Sequence, residues 1–292
     1  MSSQPPDSYV ISRRIGDATV TVISEGILSW PLELQVPEPE WRRAMPEADE
    51  LGLVPLGLNV VHVRLGSASV IIDPGLDDPG LDDPDTEWQR RYAQEAPGLT
   101  RTPGLEAGLV TAGIAPDEVT HVLITHTHTD HYCGVTRERT GNSPRFPNAR
   151  YVLGRADWDG NPERDRPGSD IATRLGEIER LGLLAPLDSE QEILPGLTAI
   201  PSPGESPGHT VYRFRSAGET FFYVGDLFHH PCEVEHLTWV SRGRHQPGVQ
   251  SSRERIYAEA ASANAVVVST HEPFPPFGRI RRTSTGYVWR RL

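Results

Sequence analysis

Residues 120–131 read THVLITHTHTDH, an apolar run that leads directly into three histidines and one aspartate. The apolar run predicts a buried strand. In an extended segment His126 and His128 point to the same side, so both can reach one metal ion. A turn through Asp130 and His131 can reach a second ion, and two ions about 3.5–4 Å apart can share one carboxylate. The segment therefore predicts a two-metal site at the end of a strand, with ligands that suit zinc.

Length and composition predict an ordinary globular protein. The chain has 292 residues, of which 37% are hydrophobic and 23% are charged, as is usual for folded domains. Its 27 glycines and 27 prolines predict many turns and ordered loops. Because no domain boundary is visible, residues 1–292 are predicted to form a single domain.

The net charge, the absence of lysine and the lack of recognisable targeting signals exclude several classes of protein. A net charge of −12 would repel a phosphate backbone, so no nucleic-acid partner is expected. All 28 basic residues are arginines, which excludes a lysine Schiff base. Residues 1–10 lack the features of a signal peptide and no stretch is apolar enough to span a membrane, so a cytoplasmic protein is expected. In that reducing compartment Cys133 and Cys232 are expected to be free thiols.

Strand and helix patterns alternate along the chain in two similar halves. This mixture favours a layered α/β sandwich, an α+β arrangement, over an all-β barrel. The predicted strands are 17–24, 60–65, 69–73, 120–125, 151–153, 197–200, 211–214, 221–224 and 265–269. The predicted helices are 105–113, 170–181 and 251–262.

Two segments do not show a clear period. Residues 25–59 are rich in Pro, Trp and Leu, and a stretch of this length is more often a lid or substrate loop than a neutral connection. We expect Trp30, Leu32 and Leu34 to give it an apolar face toward a substrate. Residues 75–84 repeat the sequence GLDDP and are predicted to be a solvated acidic loop without a function.

The histidine-rich segment resembles the signature HxHxDH of the metallo-β-lactamase superfamily. That family needs three further ligands, each associated with its own strand, and the chain offers a candidate for each in the expected order. These are His209 in SPGHT, Asp226 in VGD and His271 in VSTH. The resemblance covers roughly residues 17–280.

The resemblance implies an αββα sandwich with the site at one edge between the two sheets. It implies two divalent ions, zinc first, with manganese, cobalt or iron as alternatives. It also implies a division of the ligands, in which Asp226 bridges the ions and Asp73 has a supporting role or is simply a turn residue. The first ion would take His126, His128 and His209, and the second Asp130, His131 and His271.

The remaining histidines divide into two groups. A lone histidine is more often a hydrogen-bonded structural residue than a ligand, and this is expected of His62, His121, His236 and His245. His229 and His230 follow Asp226 on the loop that leaves the site, so at least one of them is expected to face substrate. In the acyl-homoserine-lactone lactonases a tyrosine occupies the position of His229, so the chain departs there from that subfamily.

The resemblance is nearest to the lactonase and organophosphate-hydrolase-like branch, through residues 145–158 and 224–230. It implies that metal-bound hydroxide attacks a small-molecule lactone or carboxylic ester, with Asp130 or Asp226 carrying the proton and His229 assisting. Quorum quenching would be one such activity. Hydrolysis of organophosphate triesters or aryl esters is the alternative. A redox di-iron protein or a non-catalytic binding protein is the alternative from another class, and a homodimer is possible.

Overall fold

A computed structural model describes residues 8–76, 98–137 and 143–292. Most of the duplicated GLDDP segment lies outside these residues. The strands are β1 (Val10–Ile15), β2 (Ala18–Pro31), β3 (Leu53–Leu65), β4 (Ala68–Ile72), β5 (Thr100–Arg101), β6 (His121–Leu123), β7 (Arg150–Gly154), β8 (Leu184–Leu187), β9 (Gln191–Leu194), β10 (Leu197–Pro201), β11 (Thr210–Ser216), β12 (Glu219–Tyr223), β13 (Val266–Val268), β14 (Phe277–Arg282) and β15 (Tyr287–Arg291). The α-helices are α1 (Glu38–Ala44), α2 (Gly104–Ala112), α3 (Thr129–Tyr132), α4 (Arg155–Asp159), α5 (Asp170–Arg180), α6 (Pro231–Glu235) and α7 (Gln246–Ser262).

The strands form two sheets. The first has the order β1-β2-β3-β4-β6-β7-β8, with β5 paired to β2, and the second has the order β15-β14-β13-β12-β11-β10-β9. Parallel pairs join β4 to β6, β6 to β7 and β7 to β8 in the first sheet, and β12 to β13 in the second. The remaining pairs are antiparallel, and most of them join strands that follow each other in the chain.

The two sheets pack face to face, and helices cover both outer faces. Because successive side chains on a strand point to opposite faces, Phe221 and Tyr223 of β12 join the core between the sheets. Phe222 points the other way and packs in the cluster that contains Ile256 and Tyr257 of α7. On the outer face of the first sheet, α2 and α5 pack in the same manner. The expected αββα sandwich is therefore confirmed.

Most of the predicted elements are present, with longer strands at the start of the chain. The predicted strands 60–65 and 69–73 form the antiparallel hairpin β3–β4, and the predicted strands 211–214 and 221–224 form the hairpin β11–β12. Helix α2 ends at Gly113, whose φ of 67° is the left-handed cap that favours glycine. Strand β1 was not predicted, because its sequence VISRRI has charges that interrupt the apolar pattern. Both cysteines are buried and free, as expected.

The 25–59 segment is more regular than its composition suggests. Its two ends prolong β2 and β3, which pair from Gly26 opposite Leu58 to Pro31 opposite Leu53. Helix α1 lies in the connection between them. The hairpin extension therefore places side chains of residues 25–31 and 53–59 on a rigid scaffold beside the edge that carries the histidines. Whether this extension acts as a lid stays a prediction.

Among the described residues, no helix combines the length and the apolar character needed to cross a bilayer.

Candidate metal centre

The polar residues of the site meet at one edge of the sandwich because of strand direction. His126 follows β6 in the first sheet, while Asp226 and His271 follow the parallel strands β12 and β13 in the second. His209 precedes β11, which runs antiparallel to β12, so the start of β11 lies at the same edge as the end of β12. Four loops thus converge from segments far apart in the chain. The loop after β6 continues into the first turn of α3, which carries Asp130 and His131.

Asp226 lies at the centre of the cluster. Its Oδ2 atom is 3.2 Å from His271 Nε2, 3.3 Å from both His131 Nε2 and His229 Nε2, and 3.6 Å from His126 Nε2. The side chain is 3% exposed. One buried carboxylate oxygen therefore faces four imidazole nitrogens, an arrangement that a bound cation would stabilise.

Asp130, His131 and His271 form one group whose ligand atoms lie within 4.8 Å of one another. Asp73 contacts His131 of this group at the ring nitrogen opposite the one that faces Asp226. Its Oδ2 lies 2.8 Å from His131 Nδ1, and its two oxygens accept hydrogen bonds from the backbone N–H and the hydroxyl of Thr125, each at 2.7 Å. A carboxylate on the far ring nitrogen fixes the orientation of a histidine ligand. Asp73 therefore has the supporting position that the resemblance implied.

The second group contains a residue that sequence reasoning did not find. Its members are His126, His128, Asp226 and Glu205, whose ligand atoms also lie within 4.8 Å of one another. Glu205 is only 3% exposed at its side chain and its Oε1 lies 3.4 Å from His128 Nδ1. It stands four residues before His209 in the same loop, and an acidic residue in a ligand-bearing loop is the signal that could have revealed it.

His209 lies beside this group rather than within it. Its ring centre is 5.4 Å from that of His126, and its Nε2 accepts a hydrogen bond of 3.2 Å from the backbone N–H of Asp226. Its Nδ1 lies 3.1 Å from the carbonyl oxygen of Ser202, which fixes the ring. His209 would join a metal through Nε2, so its place among the ligands stays a prediction.

The surroundings of the imidazoles shift their pKa values in two directions. Burial lowers the pKa of His209 to about 4 and that of His126 well below its usual value, so both rings are neutral at pH 7 and can offer a lone pair. Burial also disfavours the charged form of His131, but the carboxylates of Asp226, Asp130 and Asp73 outweigh it and raise the pKa of His131 well above its usual value. Negative charge is therefore concentrated where a cation would lie.

The Nε2 atom of His229 faces the cluster, and Glu233 contacts the backbone N–H and the Nδ1 atom of the same residue. Its ring stacks on His271 with centres 5.2 Å apart and a tilt of 12°. Glu233 Oε2 accepts the backbone N–H groups of His229 at 2.7 Å and His230 at 3.1 Å, and lies 3.5 Å from His229 Nδ1. Arg253 Nη2 pairs with the other oxygen of Glu233 at 2.6 Å in a fully buried contact. His229 is thus fixed with Nε2 toward Asp226.

His230 turns away from the site. Its Nδ1 accepts the N–H of Cys232 at the start of α6, and its Nε2 lies 2.5 Å from Glu47 Oε1. Of the two neighbouring histidines, only His229 therefore lines the cavity above the cluster.

Three of the four histidines expected to be structural have local side-chain partners. His62 shares a hydrogen bond of 2.8 Å with Ser69, and His121 shares one of 3.0 Å with Thr120. His236 stacks on Trp239 with ring centres 3.9 Å apart. These three and His245, which precedes α7, do not line the cavity.

A cavity of about 400 Å³ opens above the cluster. Trp30 and Leu32 line it, as expected, whereas Leu34 does not. Leu34 is 5% exposed and packs against Met45 and Trp239 behind the cavity wall, in the cluster that also contains Leu32, so the expectation that it contacts substrate was wrong. The apolar wall instead continues along the hairpin extension through Leu28, Pro31 and Leu56, with Leu76 beside them.

Four buried side-chain atoms of the described site residues lack a hydrogen bond. They are Asp226 Oδ1, His131 Nε2, Glu205 Oε1 and His229 Nδ1. Buried polar atoms are almost always satisfied, and an unsatisfied one calls for an explanation such as an ion. Imidazole nitrogens and carboxylate oxygens are the ligands that zinc and similar divalent ions prefer. The donor set therefore fits divalent metal.

Comparison with known proteins identifies the family of the chain. A family model described as the metallo-beta-lactamase superfamily matches residues 53–271. No curated protein gives a significant match.

Several solved structures share the whole fold. One described as hydrolase AbOPH in the beta lactamase superfamily has 18% identity and a TM-score of 0.80, with 99% of each chain covered. A dizinc quorum-quenching lactonase, AidC, has 19% identity and a TM-score of 0.77, with 97% of each chain covered. A probable metal-dependent hydrolase from Staphylococcus aureus has 21% identity and a TM-score of 0.78, with 96% of this chain and 99% of the other covered. The fold, the edge at which its histidines and aspartates meet and the match over residues 53–271 agree, and the chain belongs to the metallo-β-lactamase superfamily.

Proposed function

We propose that the protein is a dinuclear metal-dependent hydrolase that opens a lactone or cleaves a related carboxylic ester. The observation that carries the proposal is the position of Asp226, whose buried carboxylate faces four imidazole nitrogens at the floor of a partly apolar cavity. The floor offers polar groups and the wall offers apolar ones, as in most small-molecule sites.

The residues of the site would hold two divalent ions, zinc first. Asp226 would lie between the ions, and when bound they would act as Lewis acids and lower the pKa of water toward about 7. The first ion would be held by His126, His128 and His209, with Glu205 adjacent, and the second by Asp130, His131 and His271.

The chain's own side chains supply orientation and proton transfer. Asp130 is 20% exposed at its side chain and lines the cavity, so it can pass a proton to a departing alkoxide. Asp226, which lies at the floor of the cavity, can also pass a proton to the departing alkoxide. His229 Nε2 faces the same space and can donate a hydrogen bond to a substrate carbonyl. The buried pair of Glu233 and Arg253 keeps that ring in place.

Two of the solved structures support the choice of a lactone. The AidC structure contains a product, N-hexanoyl-homoserine, and an N-acyl homoserine lactone hydrolase has N-hexanoyl-L-homoserine bound at its catalytic metal centre. The latter shares 14% identity with the chain at a TM-score of 0.65. A cavity of about 400 Å³ is large enough for a lactone with a medium acyl chain.

A substrate panel tests the proposal. Lactones, carboxylic aryl esters, phosphotriesters and thioesters would be assayed with protein reconstituted with zinc, manganese, cobalt or iron. We expect the highest kcat/KM on lactones or carboxylic esters. A preference for phosphotriesters would assign the protein to the alternative activity, and no turnover on any member with both metals bound would refute hydrolysis.

The hairpin extension should set the preference for acyl chain length. Trp30 is 39% exposed and lines the cavity, so Trp30→Ala removes apolar surface that only a long chain can reach. At about 25 cal/mol per Å² the loss should lower kcat/KM for a decanoyl substrate about 10-fold and leave a butanoyl substrate within about 2-fold. Leu51→Ala, at a residue 81% exposed and outside the cavity lining, is the matched control. Equal effects of Trp30→Ala on both substrates would show that the wall does not contact the acyl chain.

A further inference from the structure

The loop that follows α6 brings cationic side chains to the cavity. Ser241, Arg242 and Arg244 line it together with Asp226 and His229. Among the described residues that line the cavity, these two arginines are the only guanidinium groups, and there is no lysine in the chain. Since the net charge is −12, two arginines at the site do not reflect a general excess of positive charge.

The inner nitrogen of Arg244 forms an ion pair with Glu205. Its Nε lies 2.5 Å from Glu205 Oε1, and the side chain of Glu205 is only 3% exposed. The two terminal nitrogens of Arg244 have no hydrogen-bond or ion-pair partner among the described residues. A guanidinium has five donors in a rigid fork. Glu205 therefore fixes the inner part of the group and leaves the terminal donors for another acceptor.

The loop itself is held in place against the segment that follows β2. The backbone N–H of Arg242 donates to the carbonyl oxygen of Glu33 at 3.0 Å, and Leu34 forms a β-bridge with Ser241. The side chain of Arg242 is exposed and has no partner among the described residues. Both guanidiniums are thus carried by a backbone that is already ordered, which lowers the entropic cost of binding a ligand group.

The terminal fork of an arginine matches a carboxylate, because both are planar and can form two parallel hydrogen bonds. The acidic residues that line the cavity outside the ligand cluster are limited, among the described residues, to Glu33. Glu33 is next to this loop, because its carbonyl oxygen accepts the N–H of Arg242. The two guanidiniums outnumber this one carboxylate, so the loop keeps a net positive charge that favours an anion. The cavity therefore combines an apolar wall with an oxyanion-binding loop.

We propose that the preferred substrate of this hydrolase carries a carboxylate in addition to the bond that is cleaved, and that Arg244, held by Glu205, binds this carboxylate with help from Arg242. The proposal rests on the proposed function, since it names the substrate class of the same site. Arg244 is a specificity-determining residue and Glu205 positions it.

Two esters with acyl chains of equal length test the proposal on the metal-loaded protein. They are 4-nitrophenyl hexanoate and mono-4-nitrophenyl adipate, which differ by a terminal carboxylate. We expect kcat/KM to favour the adipate ester at least about 10-fold, through KM, because the added carboxylate would form charged hydrogen bonds with Arg244. Arg244→Gln should lower the adipate-to-hexanoate ratio about 10-fold or more. Arg290→Gln, at an exposed arginine outside the cavity lining, should leave the ratio unchanged.

A binding measurement separates this proposal from the proposed function. Calorimetry with adipate and hexanoate compares two anions that can each place one carboxylate near the metals, so the difference reports the second carboxylate. We expect adipate to bind about 10-fold more tightly, and Arg244→Gln to remove the difference. If neither ester is cleaved but this binding difference is found, the proposed function fails and the carboxylate site stands.

Three results would overturn the carboxylate site. The first is a wild-type preference for the hexanoate ester, and the second is an equal loss on both esters in Arg244→Gln. The third concerns Arg242→Gln, which leaves Glu205 paired and is therefore informative even if Arg244→Gln fails to fold. This variant should lower the ratio about 3-fold, as expected for a more exposed charge, and an unchanged ratio would contradict the proposal.

Discussion

Replacing Asp226 with asparagine should remove at least one metal ion from each chain and abolish most of the hydrolytic activity. The change keeps the size of the side chain but removes the negative charge that faces His271, His131, His229 and His126. Two cations would then repel each other with less compensation. Because a metal site supplies several kcal/mol of transition-state stabilisation, we expect the rate to fall by at least about 10³-fold.

Metal content by elemental analysis and initial rates should be measured on the same preparation of the Asp226→Asn protein. Asp165→Asn changes an exposed aspartate outside the cavity lining and serves as the matched control, with both metals and full activity expected. A folded Asp226→Asn protein that keeps two metals and a near-normal rate would remove Asp226 from the centre of the site.

Replacing His229 with alanine should leave both metals bound and lower turnover about 10²–10³-fold, the scale for loss of one donor to a developing oxyanion. The reason is its position, since its Nε2 faces the cavity and its backbone is fixed by Glu233. His236→Ala, at an exposed ring that stacks on Trp239, should change neither quantity.

The His229→Ala measurement also distinguishes substrate contact from ligation. His229 belongs to a group with Asp226 and His271 whose ligand atoms lie within 4.8 Å of one another. If His229→Ala loses a metal together with its activity, the ring is a ligand and our assignment to substrate is wrong.

The residues of the site were predictable where they belong to a short motif. The segment after β6 contains four of them within six residues, namely His126, His128, Asp130 and His131. Local backbone geometry brings these four together independently of the tertiary structure. The layered α/β sandwich was predictable from the strand and helix patterns, whereas the αββα order of its layers was implied by the resemblance to the metallo-β-lactamase superfamily.

Residues that act through the tertiary structure were missed. Glu233 and Arg253 are twenty residues apart and meet only because α6 and α7 pack together, so no local pattern marks them as a pair. Arg244 and Glu205 come from two separate loops. Single arginines and glutamates of this kind are indistinguishable in sequence from solvated surface charges.

The hairpin extension was missed for a different reason. Residues 25–31 and 53–59 are strands, but their side chains are divided between the cavity and neighbouring segments instead of between core and solvent. Both faces therefore carry apolar residues and the strand period disappears. Leu34 was assigned to the wrong environment because the sequence does not show that the chain leaves the cavity after Glu33.

The central claim is that hydrolysis depends on two metal ions held around Asp226, and a titration tests it most directly. Protein depleted of metal by a chelator would receive zinc in steps, with bound metal per chain and the rate on the best ester or lactone measured at each step. We predict that the depleted protein is inactive and that the rate rises until about two ions are bound per chain, because the site offers more ligands than one tetrahedral ion can use. Full activity in the depleted protein, or a maximum at one ion per chain, would contradict this account.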